Sequence, residues 1–246
     1  MQQAYGAESI WELARDAIFP VSAFDAAPAQ MAACLGIAGI TSDADILDMP
    51  CGPGRHCLPL ARVGHRVVGV DRTPAYLEEV RRRIEPEMAL ELVQSDMREF
   101  VRDGAFDLAL NLYHSFGYFD DVADDARVLS NLHRSLRPGG ALLMELMSAE
   151  LLSKDFAPVR QRTMEDGSVM REESLITDDG RWMHSTWILD RDGRRHEFDM
   201  SHRLYSADDL SASLHGAGFG ELTLLGGFDG RPWDEEAVRL VVLARR

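Results

Sequence analysis

The 246-residue sequence predicts an α/β fold built on a doubly wound, mostly parallel sheet, and three observations carry that expectation. Between residues 45 and 146 short β-rich runs alternate with helical ones, the pattern of parallel strands wrapped by helices. A Gly/Pro turn joins the first strand of that series to its first helix, where such sheets bind ligands. Beyond residue 157 three Asp-Gly pairs separate β-rich runs, a hairpin signal that predicts an antiparallel insertion.

Asp45 to Met49 (DILDM) reads as the first strand, followed by the turn and a helix through Arg62 that Gly64 ends as a cap. Arg66 to Val70 is the second strand. Thr73 then offers an N-cap and Pro74 the first helical position of a helix to about Glu85. Ala89 to Val93 and Phe106 to Leu112 supply strands three and four. Asp124 to Leu136 places Val128, Leu129, Leu132 and Leu136 at helical spacing, and Pro138-Gly139-Gly140 turns the chain into a fifth strand, ALLMEL. Asp166-Gly167, Asp179-Gly180 and Asp192-Gly193 divide 157–204 into about four antiparallel strands, expected to form a lid or a dimer surface. A helix at Ala207 to His215, a cap at Gly216 or Gly218, and strands at Glu221 to Leu225 and Val238 to Ala244 complete a seven-stranded sheet. The expected organisation is a core with N-terminal helices over 1–156, the β insertion after the fifth strand over 157–204, and a return to the core sheet over 205–246.

A net charge of −15 repels polyanions, so nucleic acid and anionic membrane are poor partners. The Arg81-Arg82-Arg83 run spreads around a helix and reads as a solvated face. Three cysteines, Cys34, Cys51 and Cys57, leave one unpaired in any disulfide scheme, which fits a reducing cytoplasm. Glu8, Glu12, Arg15 and Asp16 interrupt the N-terminal apolar residues, unlike a signal peptide, and no stretch reads as membrane-spanning.

Asp48 to Gly54 (DMPCGPG) lies at the strand-to-helix turn, and its two glycines allow tight turning and close backbone approach to a ligand. Asp71 ends the second strand, where a carboxylate can accept both hydroxyls of a ribose. A dinucleotide fingerprint needs a third glycine where Cys57 stands. No phosphate-loop sequence occurs, and the single lysine, Lys154, is far from any glycine turn. The Cys51–Cys57 spacing is not a zinc pattern, so no metal is expected.

The run ILDMPCGPGRHCLPLARVGHRVVGVD resembles the first two motifs of class I, Rossmann-like S-adenosylmethionine-dependent methyltransferases of the small-molecule type. Ser95-Asp96-Met97, Phe106-Asp107, Ser115-Phe116-Gly117-Tyr118-Phe119 and Arg137-Pro138-Gly139-Gly140 follow in that family's order, and the likeness covers roughly 40–147. It implies that Asp48, Cys51, Gly52 and Gly54 surround the methionine part of S-adenosyl-L-methionine. Asp71 would hold the ribose, Arg72, Asp96 and Met97 the adenine, and Leu112 with His114 would close the site. Pro50 departs from the commoner glycine-type entry and has no amide hydrogen to donate.

The resemblance implies in-line methyl transfer with S-adenosyl-L-homocysteine as product, a reaction in which the protein mainly positions. His114 follows the fourth strand and is the first candidate for a base; Tyr118 and Glu145 are further catalytic candidates. Tyr113, Phe116, His202, Arg203 and Tyr205 are candidates for substrate contact, Arg203 through a carboxylate. Asn111-Leu112-Tyr113-His114 lacks the two prolines that follow the fourth strand in nucleobase-amine methyltransferases, which points to a metabolite or specialised natural product. Nitrogen, oxygen and carbon all stay open as the accepting atom. A non-catalytic S-adenosylmethionine-binding regulator is the rival reading; a nucleic-acid or protein methyltransferase and a nicotinamide oxidoreductase are less favoured. Edge strands of the insertion make a homodimer an expectation.

Overall fold

The computed structural model describes residues 8–164 and 166–246; the first seven residues of the run read as unlike a signal peptide lie outside the described residues. Helices α1 (Glu8–Leu13), α2 (Arg15–Ile18) and α3 (Val21–Ala38) precede the alternating series. That series is β1 (Asp45–Asp48), α4 (Cys57–Arg62), β2 (Arg66–Asp71), α5 (Pro74–Arg81), β3 (Leu90–Gln94), β4 (Phe106–Asn111), α6 (Val122–Ser135) and β5 (Leu136–Leu146). After α7 (Ala149–Lys154) come β6 (Val159–Thr163), β7 (Val169–Ile176), β8 (Trp182–Arg191) and β9 (Arg194–Arg203), and then α8 (Ala207–Gly216), β10 (Leu222–Leu225) and β11 (Leu240–Arg245).

The main sheet has seven strands, as the sequence pattern predicts, and their order is β10-β11-β5-β4-β1-β2-β3. Strands β1 to β5 pair in parallel, and β11 runs antiparallel to both neighbours. Chain order reverses between β1 and β4, so their outgoing loops diverge and open a crevice there. Side chains alternate across the sheet: Ile46 joins Met31, Leu58 and Val80 of α3, α4 and α5, whereas Leu47 joins Val128, Leu132 and Leu210 of α6 and α8. Helices thus cover both faces, and the central strands β1 and β4 are largely buried on both.

Local differences from the expected elements have simple causes. Extended pairing of β5 begins at Leu136 opposite Phe106, before the Pro-Gly-Gly turn; the register shift between Phe106 and Leu108 absorbs that turn as an irregularity. Thr73 occupies the N-cap of α5 without a side-chain cap; its N–H donates to Asp71 Oδ1 at 2.8 Å, and its side chain is also engaged with Asp71. Helix α3 is 18 residues long and apolar enough to cross a membrane by length and composition, which the sequence pattern did not flag because small alanines carry its apolarity. Its Ala27, Met31, Cys34 and Ala38 form a buried stripe, and the last three pack into the core beneath the sheet.

Four strands, β6-β7-β8-β9, form the separate antiparallel sheet. Its Met170 and Leu189 pack on Ala14 and Ala17, and Met200 packs on Trp11 and Tyr118. The insertion therefore holds α1 and α2 against the rest of the molecule. Every residue of the edge strand β6 is exposed.

Candidate active site

A cleft of about 1050 Å³, open to solvent, lies at the carboxyl ends of β1, β2 and β4. Met49 to Gly52 and Val70 to Thr73 line it from the first two strand ends, Ser95 and Met97 from the third, and Leu112, Tyr113, Ser115 and Tyr118 from the fourth. Trp11, Ile18, Phe19 and Tyr76 close it from the N-terminal side. Tyr76 Oη donates to the Trp11 carbonyl at 2.5 Å, tying α5 to α1.

Asp71 organises the turn. Its Oδ2 accepts from the Gly52 N–H and its Oδ1 from the Thr73 N–H, both at 2.8 Å. Burial raises its pKa, and the two backbone donors pull it back. The Thr73 side chain is a third donor to it, and a carboxylate has about four acceptor sites, so capacity remains for a ribose hydroxyl. Gly52 has φ +53°, and a Cβ there would meet the Phe19 ring at 3.0 Å. Gly54 serves packing, because a Cβ would meet Val80 at 2.8 Å.

Asp48 lies behind the turn, 1% exposed, with Oδ2 lacking a hydrogen-bond partner. Burial drives its carboxyl up to about 8, against the pull of Arg55 and the Cys57 N–H. The Cys51 thiol is raised well above its ordinary range by its hydrogen bond with Cys57 and by burial. Two further residues of this loop, Arg55 and His56, line the cleft and were not singled out from sequence as cofactor contacts. Arg55 stacks over Tyr113 at 3.4 Å from the ring centroid, and His56 stacks on the same ring at 5.5 Å.

The loop after β4 is strained and tightly held. Tyr113 (φ 60°) and His114 (φ 58°) both adopt the left-handed conformation, which non-glycine residues reach at a cost. Glu145 offsets that cost: one oxygen accepts from the Tyr113 N–H at 2.7 Å and the other from Arg239 Nη1 at 2.6 Å. Gln30 Nε2 donates to Tyr113 Oη at 2.6 Å. His114 Nε2 accepts from the Met147 N–H at 2.5 Å, and burial together with the Arg239 charge pushes the ring down to about 4. Gly117 (φ +95°) brings the loop against β9: the Arg203 N–H donates to the Gly117 carbonyl at 2.7 Å.

Several residues expected at the site sit behind its wall. Phe116 is buried in the core against Tyr205, and Tyr205 Oη donates to Asp125 at 2.8 Å. Arg203 pairs with Asp125 at 3.3 Å and covers Trp182. His202 packs against His114 and Tyr118, and burial pushes it down to about 3. The Asp96 carboxylate turns onto Arg98, accepting from its backbone N–H at 2.9 Å and from Nη2 at 2.8 Å. Burial works against that carboxylate, but the Arg98 contacts outweigh it and hold the pKa low. Asp48, Gly54, Asp96, His114 and Glu145 thus support the lining residues rather than line the cleft themselves.

A sheet with one reversed strand inserted beside β5, opening at its switch point over a glycine turn and a diol-type carboxylate, defines a class I S-adenosylmethionine-dependent methyltransferase fold. Residues 46–140 match the family described as "Methyltransferase domain". The chain accordingly carries a methyltransferase domain on the fold of S-adenosylmethionine-dependent methyltransferases. It is 26% identical over 179 residues to a putative methyltransferase of Bacillus subtilis, YqeM, covering 71% of this chain and 72% of that protein. Two further curated relatives are matched over 32% and 41% of their own lengths. Among solved structures, an S-adenosylmethionine-dependent methyltransferase from Clostridium acetobutylicum superposes with TM-score 0.75 at 17% identity, covering 96% of this chain and 97% of that one. The sugar N-methyltransferase KedS8 from Streptoalloteichus superposes with TM-score 0.68 at 22% identity, covering 100% and 94%. These structural likenesses establish the fold.

Proposed function

We propose that this chain methylates a nitrogen of a small molecule, with S-adenosyl-L-methionine as donor and S-adenosyl-L-homocysteine as product. When bound, the donor supplies a methyl group already activated on a sulfonium. Asp71 would hold the ribose, Val70, Arg72 and Met97 would flank the adenine, and Cys51 and Gly52, with Asp48 behind them, would face the methionyl end. Tyr113, Tyr118 and Trp11 form the wall that receives the acceptor, Leu112 and Ser115 limit its depth, and Glu145 positions Tyr113.

The state of His114 carries the nitrogen assignment. A backbone N–H can only donate, so the ring nitrogen accepting from Met147 is unprotonated and the neutral ring bears its proton on Nδ1. Neither nitrogen is then free to take a proton from substrate. An oxygen acceptor would need such a base, whereas a neutral amine attacks with its own lone pair and sheds its surplus proton afterwards. The sugar N-methyltransferase of the same fold fits that chemistry.

A panel of small amines, phenols and alcohols, followed by release of S-adenosyl-L-homocysteine, tests this. Turnover is expected with amines alone, rising with pH through the amine's own ionisation and with no limb near the ordinary histidine value of about 6.5. Faster turnover of a phenol or alcohol, or a histidine limb that disappears in His114→Gln, would refute it. The same proposal leaves nucleic acid and anionic membrane aside on the −15 charge and makes the fully exposed β6 edge the surface for a second copy of the chain. Light scattering at high concentration checks the dimer.

A further inference from the structure

Arg55 is a buried charge without a counter-ion among the described residues. The residue is 6% exposed, its Nε has no hydrogen-bond partner, and no ion pair reaches it among the described residues. A guanidinium cannot escape this by losing its proton at physiological pH. Of the carboxylates that act on it from a distance, Glu145 is committed to Arg239 and the Tyr113 N–H, and burial keeps Asp48 protonated up to about 8, so neither serves as its counter-ion. Tyr113 covers one face of the guanidinium, which leaves its donor edge as the unused part. His56, on the same cleft wall, is 5% exposed and its Nε2 also lacks a partner.

Buried polar groups are nearly always satisfied, so two adjacent unsatisfied groups lining one cleft mark where a ligand group sits. The cation requires an anion, and the planar fork matches a carboxylate. Glu145 close by penalises a doubly charged group such as a phosphate. We infer that Arg55, with His56 beside it, forms a carboxylate-binding subsite of the cleft. This rests on the cleft being the methyl-donor site. The carboxylate has two sources, the amino-acid end of the donor or an acid group on the acceptor.

Titration calorimetry of wild type, Arg55→Met and Arg55→Lys with S-adenosyl-L-homocysteine and with 5′-methylthioadenosine, which lacks the amino-acid end, separates them. If the donor supplies the carboxylate, Arg55→Met weakens S-adenosyl-L-homocysteine binding about 30-fold, the loss of one charged hydrogen-bonded pair, and leaves methylthioadenosine unchanged. Arg55→Lys keeps the charge but not the fork and falls between. If the acceptor supplies it, both adenosyl ligands bind the variant normally, and thermal shifts from acetate, benzoate and glucuronate on the product-saturated protein are present in wild type and lost in Arg55→Met. Equal weakening of both adenosyl ligands would show that Arg55 only shapes the loop and would overturn the inference. So would unchanged binding combined with unchanged carboxylate shifts. A wild-type protein that binds neither adenosyl ligand refutes the donor site itself, and the carboxylate shifts on the free protein then decide Arg55 alone.

Discussion

Replacing Asp71 by Asn tests the link between loop geometry and cofactor binding most directly. The carboxylate accepts from two buried backbone donors, the Gly52 and Thr73 N–H groups, each at 2.8 Å. An asparagine oxygen can satisfy one of them, but its amide nitrogen then faces the other, and two donors cannot pair. One buried N–H loses its partner in either orientation, a cost of about 1–3 kcal/mol in stability. The same swap removes one of the two oxygens available to a ribose diol, a charge-assisted bond worth about 1.5–3 kcal/mol, so affinity for S-adenosyl-L-homocysteine should fall about 10- to 100-fold. Titration calorimetry measures the affinity and urea unfolding the stability. A variant that binds within about twofold of wild type, with its urea midpoint unmoved, would refute both the ribose role and the clamp on Gly52, since the first predicts at least a tenfold loss of affinity, about 1.4 kcal/mol, and the second about 1–3 kcal/mol of stability.

Asp48→Asn should raise apo stability at pH 8 by several degrees in Tm and not at pH 4. The folded chain holds the Asp48 proton up to about 8 and the unfolded chain releases it near the ordinary 3.8, so this stabilisation is full below pH 4 and lost as pH rises through 8. Identical pH profiles for the two proteins in calorimetry would refute the buried protonated state. Gly117→Ala forces a Cβ to 2.7 Å from the Arg203 carbonyl at φ +95° and should cost about 2–3 kcal/mol in urea unfolding. An unchanged midpoint would mean that the loop after β4 is not clamped to β9. Glu145→Gln keeps the Tyr113 bond but breaks the pair with Arg239, and should lose about 2 kcal/mol of stability while S-adenosyl-L-homocysteine affinity stays close to wild type. Lost affinity at unchanged stability would instead place Glu145 in contact with the cofactor.

Much of the fold was legible because its signals are local. Strand and helix periods, the Gly52 and Gly54 turn and the three Asp-Gly pairs each depend on a few neighbouring residues. Asp71 was legible for the same reason, since its position is simply the end of β2. Periodicity has no purchase on irregular loops. Arg55 and His56 face the cleft because of the turn before α4, and Phe116 points into the core because Gly117 rotates the chain at φ +95°.

The sequence by itself determined the class of fold, the strand ends that line the cleft and the existence of the β insertion, all set by short-range patterns of burial and turning. Only the tertiary structure decided that Trp11 and Phe19 close the cleft, that Arg203 and Tyr205 serve Asp125 rather than a substrate, and that Arg55 is left without a counter-ion. Each of those depends on which distant segments meet, and a side chain's partner is settled by packing across the chain rather than by its neighbours along it.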